Sequence, residues 1–278
     1  AERLHLSQPA VSAHVKALEE ELGLALFTRT ARGMEPTQAG AELLPLARGV
    51  LDAADGLKRR AGELTGTLAG TVRVGCNTDP AFLRVPELVE AMKREHPRVR
   101  FHFYQGLSGS VLLDVKAARL DAGFIFGDNP HPEIEAVALG ETRLCIVAPA
   151  AWAGRIKDAQ WADLAALPWV LTPPLCPYRQ FVDRTFAERG APAPSEVTVC
   201  DLEGTARSLV RSGEGLSVLK QREAEQARDA GEVCIWPGEA IAIRLWFAYA
   251  AKRRADPLLA AVLRAVGAVW DADTDGTA

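Results

Sequence analysis

The sequence has no apolar run of the roughly 18 residues that a membrane span needs. Its longest candidate, residues 241–251, is broken by Arg244. No basic segment followed by an apolar one suggests export, so a cytoplasmic protein with no membrane partner is expected. Positive charge is not in excess either. Thirty-two Lys and Arg stand against 36 Asp and Glu, a formal net charge of −4 that offers no sign of a nucleic-acid partner. The five cysteines (Cys76, Cys145, Cys176, Cys200, Cys234) are odd in number and form no C-x-x-C pair. That argues against a disulfide scaffold and a zinc ribbon. The five histidines are isolated, and no H-E-x-x-H, Walker A or dinucleotide fingerprint occurs. No metal, cofactor or catalytic residue is therefore expected. What is present is a globular composition, 48% hydrophobic over 278 residues. At about 150 residues per domain this length suggests two domains.

The chain divides into three zones. In residues 1–40, the first six read as the end of a helix. Because the chain opens inside that helix without Met, a preceding segment is expected to be missing. Ser7-Gln8-Pro9 is a helix start, with Ser7 as N-cap and Pro9 in the first turn. A helix over 10–22 follows, with Val11, Val15, Leu18 and Leu22 on one face and Gly23 as its stop. A second helix with a polar start is helix-turn-helix grammar. Residues 24–33 then read as an extended pair with a basic tip.

Residues 41–68 carry a heptad pattern. Leu43, Val50, Leu57 and Leu64 recur every seven residues, and Ala47, Ala54 and Ala61 do so in a second register. Large residues at one seam position and Ala at the other predict a dimer-forming helix. Pro45 must lie near its start or kink it.

Residues 69–278 alternate strands and helices. Strands are predicted at 72–76, 99–104 and 122–126, with helices at 80–96 and 108–119 between them. After Pro149 come helices at 161–167, 178–189 and 204–212 and strands at 169–171, 196–200, 216–219 and 241–251. A last helix spans 257–270. This predicts two α/β lobes with a cleft where ligands bind. One lobe takes residues 70–149 and 250–271, the other 150–249.

Several stretches carry a resemblance that covers the whole chain. Ser7-Gln8-Pro9-Ala10-Val11-Ser12, Leu18-Glu19, Leu22-Gly23, Leu26-Phe27, Arg29-Thr30 and Thr37-Gln38-Ala39-Gly40 resemble the DNA-binding signature of LysR-type transcriptional regulators. Leu209-Val210, Ser212-Gly213 and Gly215-Leu216-Ser217 resemble a stretch of that family's second lobe. The resemblance implies an all-α winged helix-turn-helix head lacking its first helix, a long linker helix, and a two-lobed, periplasmic-binding-protein-like α/β effector domain.

It further implies that the helix beginning at Ser7 enters the major groove of an operator duplex. Gln8 would meet adenine and Pro9 a thymine methyl, while Ser12 and Lys16 lie on the Gln8 side. Arg29 and Arg32 at the wing suit phosphates, and Thr37 would donate to the DNA backbone. Ala13 departs from the family, where a long polar residue is common, which shifts attention to His14. The charge of this zone is near neutral: Arg3, Lys16, Arg29 and Arg32 against Glu2, Glu19, Glu20, Glu21 and Glu35. Glu19 to Glu21 must turn away from DNA, and the salt dependence should be modest. The implied partners are operator DNA, a small-molecule effector, further copies in a dimer or tetramer, and RNA polymerase.

For the effector, the resemblance points to Cys76, Asn77, Thr78 and Asp79, to Ser108, Gly109 and Ser110, and to Phe126. From the second lobe it adds Pro174, Leu175 and Cys176, then Cys200, Asp201 and Leu202, and Leu219. Helix N-termini there favour anions, with Arg84, Arg143 and Arg179 as sources of positive charge. Asp79 before Pro80 reads as a helix cap. Two alternatives stay open: a solute-binding protein without gene control, and a thiol sensor using Cys76, Cys176 and Cys200 within the regulator architecture. A hydrolase reading rests only on Gly106-Leu107-Ser108-Gly109-Ser110, a near miss to G-x-S-x-G.

Overall fold

A computed structural model of the chain describes residues 7–30, 33–64 and 68–271. It divides into two compact units, Ala1–Lys58 and Arg59–Ala278.

In the first unit, helix α1 (Gln8–Leu22) starts at Ser7, whose hydroxyl accepts the Ala10 N–H at 3.4 Å. It ends at Gly23, which takes the left-handed φ of 66° that a side chain resists. Strands β1 (Phe27–Thr30) and β2 (Gly33–Pro36) form an antiparallel ribbon. The head thus adds a two-stranded ribbon to its helices. Glu19 fixes the link between α1 and the ribbon, accepting the Leu26 and Phe27 N–H groups at 2.6 and 3.1 Å. Helix α2 (Gln38–Leu64) begins at Thr37, whose hydroxyl accepts the Gly40 N–H at 3.0 Å. A Cβ at Gly40 would sit 2.0 Å from the Leu26 carbonyl oxygen, so only glycine lets α2 approach so closely. Pro45 lies inside α2 and leaves the Ala41 carbonyl without its helical donor. Val50 and Leu57 are 69% and 73% exposed, and Leu43 is half-buried. Ala47 and Ala54 are exposed as well. The expected seam residues Ala61 and Leu64 lie outside the described side chains.

The second unit runs β3 (Ala69–Cys76), α3 (Val85–Glu95), β4 (Arg98–Gln105), α4 (Ser108–Lys116), β5 (Ala122–Phe126) and β6 (Ile134–Pro149). Then come α5 (Ala153–Ile156), α6 (Trp161–Ala165), β7 (Trp169–Leu171), α7 (Pro177–Glu188), β8 (Val197–Val199) and α8 (Glu203–Arg211). Finally β9 (Ser217–Lys220), α9 (Gln221–Asp229), β10 (Val233–Ile235), β11 (Ile241–Ala250) and α10 (Pro257–Asp271) complete it. β3 pairs in parallel with β4 and β5, as crossover helices require. β6 is the long element that links the lobes. Its first part, Ile134 to Leu144, pairs with β11, and its end carries β9 and β10. β11 also pairs with β5 from Leu245 to Tyr249, so it belongs to the first-lobe sheet. β11 runs between β5 and β6, so the chain is back in the first-lobe sheet from Ile241, ahead of the expected boundary at residue 249.

Burial follows the alternation of each strand. Val72, Val74, Phe124 and Phe247 are at most 2% exposed in the first lobe, and Trp169 and Phe186 at most 0% in the second. Each such side chain contributes about 1.5–3 kcal/mol. Trp169 also donates its indole N–H to the Leu164 carbonyl at 2.9 Å, so its polar edge is satisfied. Under the first-lobe sheet, Asp121 accepts three hydrogen bonds from Arg73, two by side chain and one by backbone, and pairs with Arg253.

Candidate functional site

In the first unit, Ser7, Gln8, Pro9, Ser12, His14, Lys16 and Arg29 are all exposed. Gln8, Ser12 and Lys16 follow one another at intervals of four on α1, which places them on one face. Lys16 meets Glu20 at 3.6 Å, with both side chains more than two-thirds exposed, a contact too weak to hold the lysine back from a phosphate. Thr37 requires a correction. Its hydroxyl gives its one proton to the Ala25 carbonyl at 2.7 Å and accepts from Gly40, so it has no donor for DNA. Arg32 lies outside the described residues.

In the second unit, a cavity of about 610 Å³ opens between the lobes. Asn77, Thr78 and Asp79, at the end of β3, form one wall with Tyr104 of β4. Asp201, Leu202 and Glu203, at the start of α8, form the other. Behind it lies a chamber of about 20 Å³, room for roughly one water, which shares Asn77, Asp201 and Glu203 and adds Ser108, Cys176 and Tyr178. A third hollow, of about 270 Å³, runs past Gly109 and Leu175.

The polar groups at this junction are tightly organised. Lys220, at the end of β9, is 1% exposed. Its ammonium donates to Thr78 Oγ1 at 2.6 Å and to Glu203 Oε2 at 2.9 Å, and lies 2.9 Å from Glu223 Oε1. Thr78 in turn donates to Glu203 at 2.9 Å, so the network joins the β3–α3 loop to α8 and β9. Burial, first of all, raises the Glu223 carboxyl above its ordinary range against the opposing charge of Lys220. Ser108 Oγ accepts the Phe126 N–H and the Asn77 amide, each at 3.0 Å. The buried Asn77 Oδ1 has no hydrogen-bond partner among the described residues, while the Tyr178 hydroxyl lies against the Glu203 carboxylate and the Thr172 hydroxyl against the Cys176 thiol. All five residues line the inner chamber.

Several expectations are corrected by this geometry. Leu219 points away from the cleft, into a cluster with Cys145, Val147 and Val210. Side chains alternate along β9, so its neighbour Lys220 takes the cleft side. Ser110, Pro174 and Cys200 line none of the three hollows. Ser110 donates to the Leu107 carbonyl, and Pro174 accepts from Gln180. Asp79 caps a turn rather than a helix. Its carboxylate accepts the Ala81 and Phe82 N–H groups, and α3 starts later, after Arg84 at a left-handed φ of 53°. None of the three arginines supplies charge to the cleft. Arg84 donates to the Val269 carbonyl and covers Trp270, Arg179 forms a fork with Asp183, and Arg143 lines a different hollow beside Trp161. Glu203, Tyr178, Thr172 and Lys220 are the residues that sequence reasoning missed. Only the acidic first turn of α8 offered a signal.

Two of the cleft thiols are held in their protonated form. Burial pushes Cys76 up to about 11 and raises Cys176 as well. A reactive cysteine needs the opposite shift.

The head and the two-lobed unit correspond to known sequence families. Residues 1–41 match the bacterial regulatory helix-turn-helix protein, lysR family. Residues 65–271 match the LysR substrate binding domain. The chain is a LysR-type transcriptional regulator. As such it is a DNA-binding protein with an effector-binding domain. The regulator is 28% identical over 240 residues to a hydrogen peroxide-inducible genes activator of Pectobacterium carotovorum subsp. carotovorum, covering 85% of this chain and 78% of the relative. It is 26% identical to the regulator CbbR of Xanthobacter flavus, covering 91% and 76%. Its fold matches full-length CbnR complexed with target DNA, at a TM-score of 0.64 and 23% identity over 96% of this chain and 91% of that one. A full-length OxyR variant from Pseudomonas aeruginosa gives 0.67 at 22% identity, covering 96% and 88%. No helix among the described residues is long and apolar enough to cross a membrane.

Proposed function

We propose that this regulator reads operator DNA with the exposed polar face of α1 and responds to a small molecule held between its lobes. The observation that carries the reading is the face of Gln8, Ser12 and Lys16, presented by a helix capped at Ser7 and leaning on no buried partner of its own. Gln8 offers a bidentate amide to adenine, and Pro9 an apolar contact to thymine. Ser7, Ser12, His14, Lys16 and Arg29 reach bases or phosphates. The seam of α2, with Val50 and Leu57 open to solvent, pairs two copies so that two heads address two half-sites. Homodimers or tetramers acting in the cytoplasm, in contact with RNA polymerase, complete the reading. It includes no catalysis, and Ser108 serves in it as an acceptor for two N–H groups. Ligand binding is favoured over thiol sensing because burial keeps Cys76 and Cys176 protonated.

The test uses a duplex selected from random DNA by the full chain. Gln8→Ala should lower affinity by about tenfold and relax one base position, as loss of a bidentate base contact requires. Lys16→Ala should weaken all duplexes alike and flatten the salt slope. Parent-like binding by both variants would overturn the assignment of α1 as the reading helix.

A further inference from the structure

The two lobes meet along a seam of mostly steric and apolar contacts. A Cβ at Gly109, in α4, would lie 2.8 Å from the Leu175 carbonyl oxygen, and one at Gly127 would lie 3.0 Å from Pro177 Cβ. The Phe126 and Tyr178 rings meet at 5.6 Å between centroids. Arg184 reaches Asp128 across the seam at 3.8 Å, but both side chains are at least half exposed, so the pair holds little.

The Lys220 network is the exception. Lys220, Glu203 and Glu223 all belong to the second lobe and stay together on their own. Among the described residues, the first lobe gives this network one hydrogen-bonding group, the 5% exposed Thr78. An ammonium has three N–H groups, and the oxygens of Thr78, Glu203 and Glu223 use all of them. The Phe82 ring, also from the first lobe, covers the same ammonium at 5.2 Å. Withdrawing the first lobe therefore leaves the ammonium one acceptor short until water takes the place of Thr78.

Charge acts in the opposite direction. Asp79 stands on the first-lobe wall of the 610 Å³ cavity, and Asp201 and Glu203 stand on the second-lobe wall. Burial raises the Glu223 carboxyl first of all, and the charges of Glu203 and Asp79 add to it, so Asp79 is felt across the seam. Like charges on opposite walls push the lobes apart. Hydrogen bonds to one side chain thus oppose an electrostatic repulsion, a balance that favours two discrete arrangements of the lobes.

We propose that Thr78, clasped by Lys220 and Glu203, is a latch that holds the lobes closed, and that its release is the step by which the effector-binding domain changes state. The proposal rests on the regulator reading above and names how that same cleft is controlled. Thr78 and Glu203 line opposite walls of the cavity, so a molecule seated there meets both halves of the latch.

Hydrogen exchange of the full chain tests it, read on peptides covering 106–113 and 173–179, which border the seam at Gly109 and Leu175. Thr78→Val keeps the side-chain shape and removes both hydrogen bonds. Exchange at the seam should rise about tenfold, as loss of one hydrogen bond to a charged group predicts. The rise should be larger at low salt than at about 0.5 M, where the repulsion is screened. Peptides from the cores of the two lobes, β5 and β7, should exchange as in the parent, because opening a seam does not unfold either lobe. Thr78→Ser keeps the hydroxyl and should restore the parent rates. Asp79→Asn keeps the acceptor that caps the turn at Ala81 and Phe82 but removes the charge, so its seam should exchange more slowly than the parent's. Parent-like seam exchange in both Thr78→Val and Asp79→Asn, an equal rise in the seam and the lobe cores, or failure of Thr78→Ser to restore the rates would overturn the latch. Retention on the selected duplex is followed in parallel. Duplex binding by a parent whose variants show no seam effect counts against the latch alone, and its absence while the seam responds as expected counts against the regulator reading alone.

Discussion

Lys220→Met keeps a buried, unbranched side chain and removes its charge. In the parent, the ammonium is 1% exposed with three oxygens at 2.6, 2.9 and 2.9 Å. Deleting one partner of a buried ion pair costs about 3–5 kcal/mol, because the other charge is left uncompensated. Glu203 and Glu223 each keep 31% side-chain exposure, so water recovers part of that loss and about 3 kcal/mol is expected at neutral pH. The sign of the pH dependence follows. Without the ammonium, burial and the charge of Glu203 push the Glu223 carboxyl further above its unfolded value. The folded variant then binds more protons than its unfolded chain, so the deficit is full at neutral pH and shrinks as pH falls toward about 5. Glu223 is already raised in the parent, which sets the direction. All six tryptophans lie beyond residue 150, so urea unfolding followed by tryptophan fluorescence reports on the effector-binding unit alone. A slope of about 2–3 kcal/mol/M gives a midpoint lowered by roughly 1 M. A midpoint equal to the parent's at neutral pH, or a deficit that grows toward acid, would refute the view that Lys220 holds the two lobes together electrostatically.

Two further predictions concern structure. Burial alone would raise Asp121, but hydrogen bonds from Arg73 and the charge of Arg253 outweigh it and hold the carboxyl below its ordinary range. Its contribution is therefore present above the unfolded value near about 3.9 and is lost as pH falls through the folded one. Asp121→Asn should cost about 3 kcal/mol at neutral pH and show a flatter acid limb in urea titrations, and a parent-like acid limb would count against the pairing. Gly40→Ala forces a Cβ onto the Leu26 carbonyl and should destabilise the head by about 2 kcal/mol. Limited proteolysis should then cut between α1 and α2 faster than in the parent, and an unchanged rate would contradict the close approach.

Local chemistry made much of the fold legible. Ser7, Pro9 and Gly23 mark α1 because caps act within one turn, and the strands of the first lobe show as short apolar runs between helices. The cleft was harder to read. Leu219 and Lys220 differ by one position, and in a strand that step exchanges core for cleft. A lone lysine at a strand end reads as solvated until β3, α8 and α9 are seen around it. Tyr178 and Glu203 come from different helices, and only the folded sheet brings them to one chamber. Arg84, Arg143 and Arg179 failed as cleft cations because a sequence gives no side-chain direction, and each found a partner or a surface elsewhere.

The account stands on α1 as a DNA-reading helix, and selection from a random duplex pool tests that most directly. The full chain should enrich one motif in two related half-sites whose centres lie about one helical turn, or a multiple of it, apart, and Gln8→Ala should enrich a weaker motif with one position relaxed. Recovery of a pool with no enriched sequence, or of the same motif at equal strength by Gln8→Ala, would contradict it.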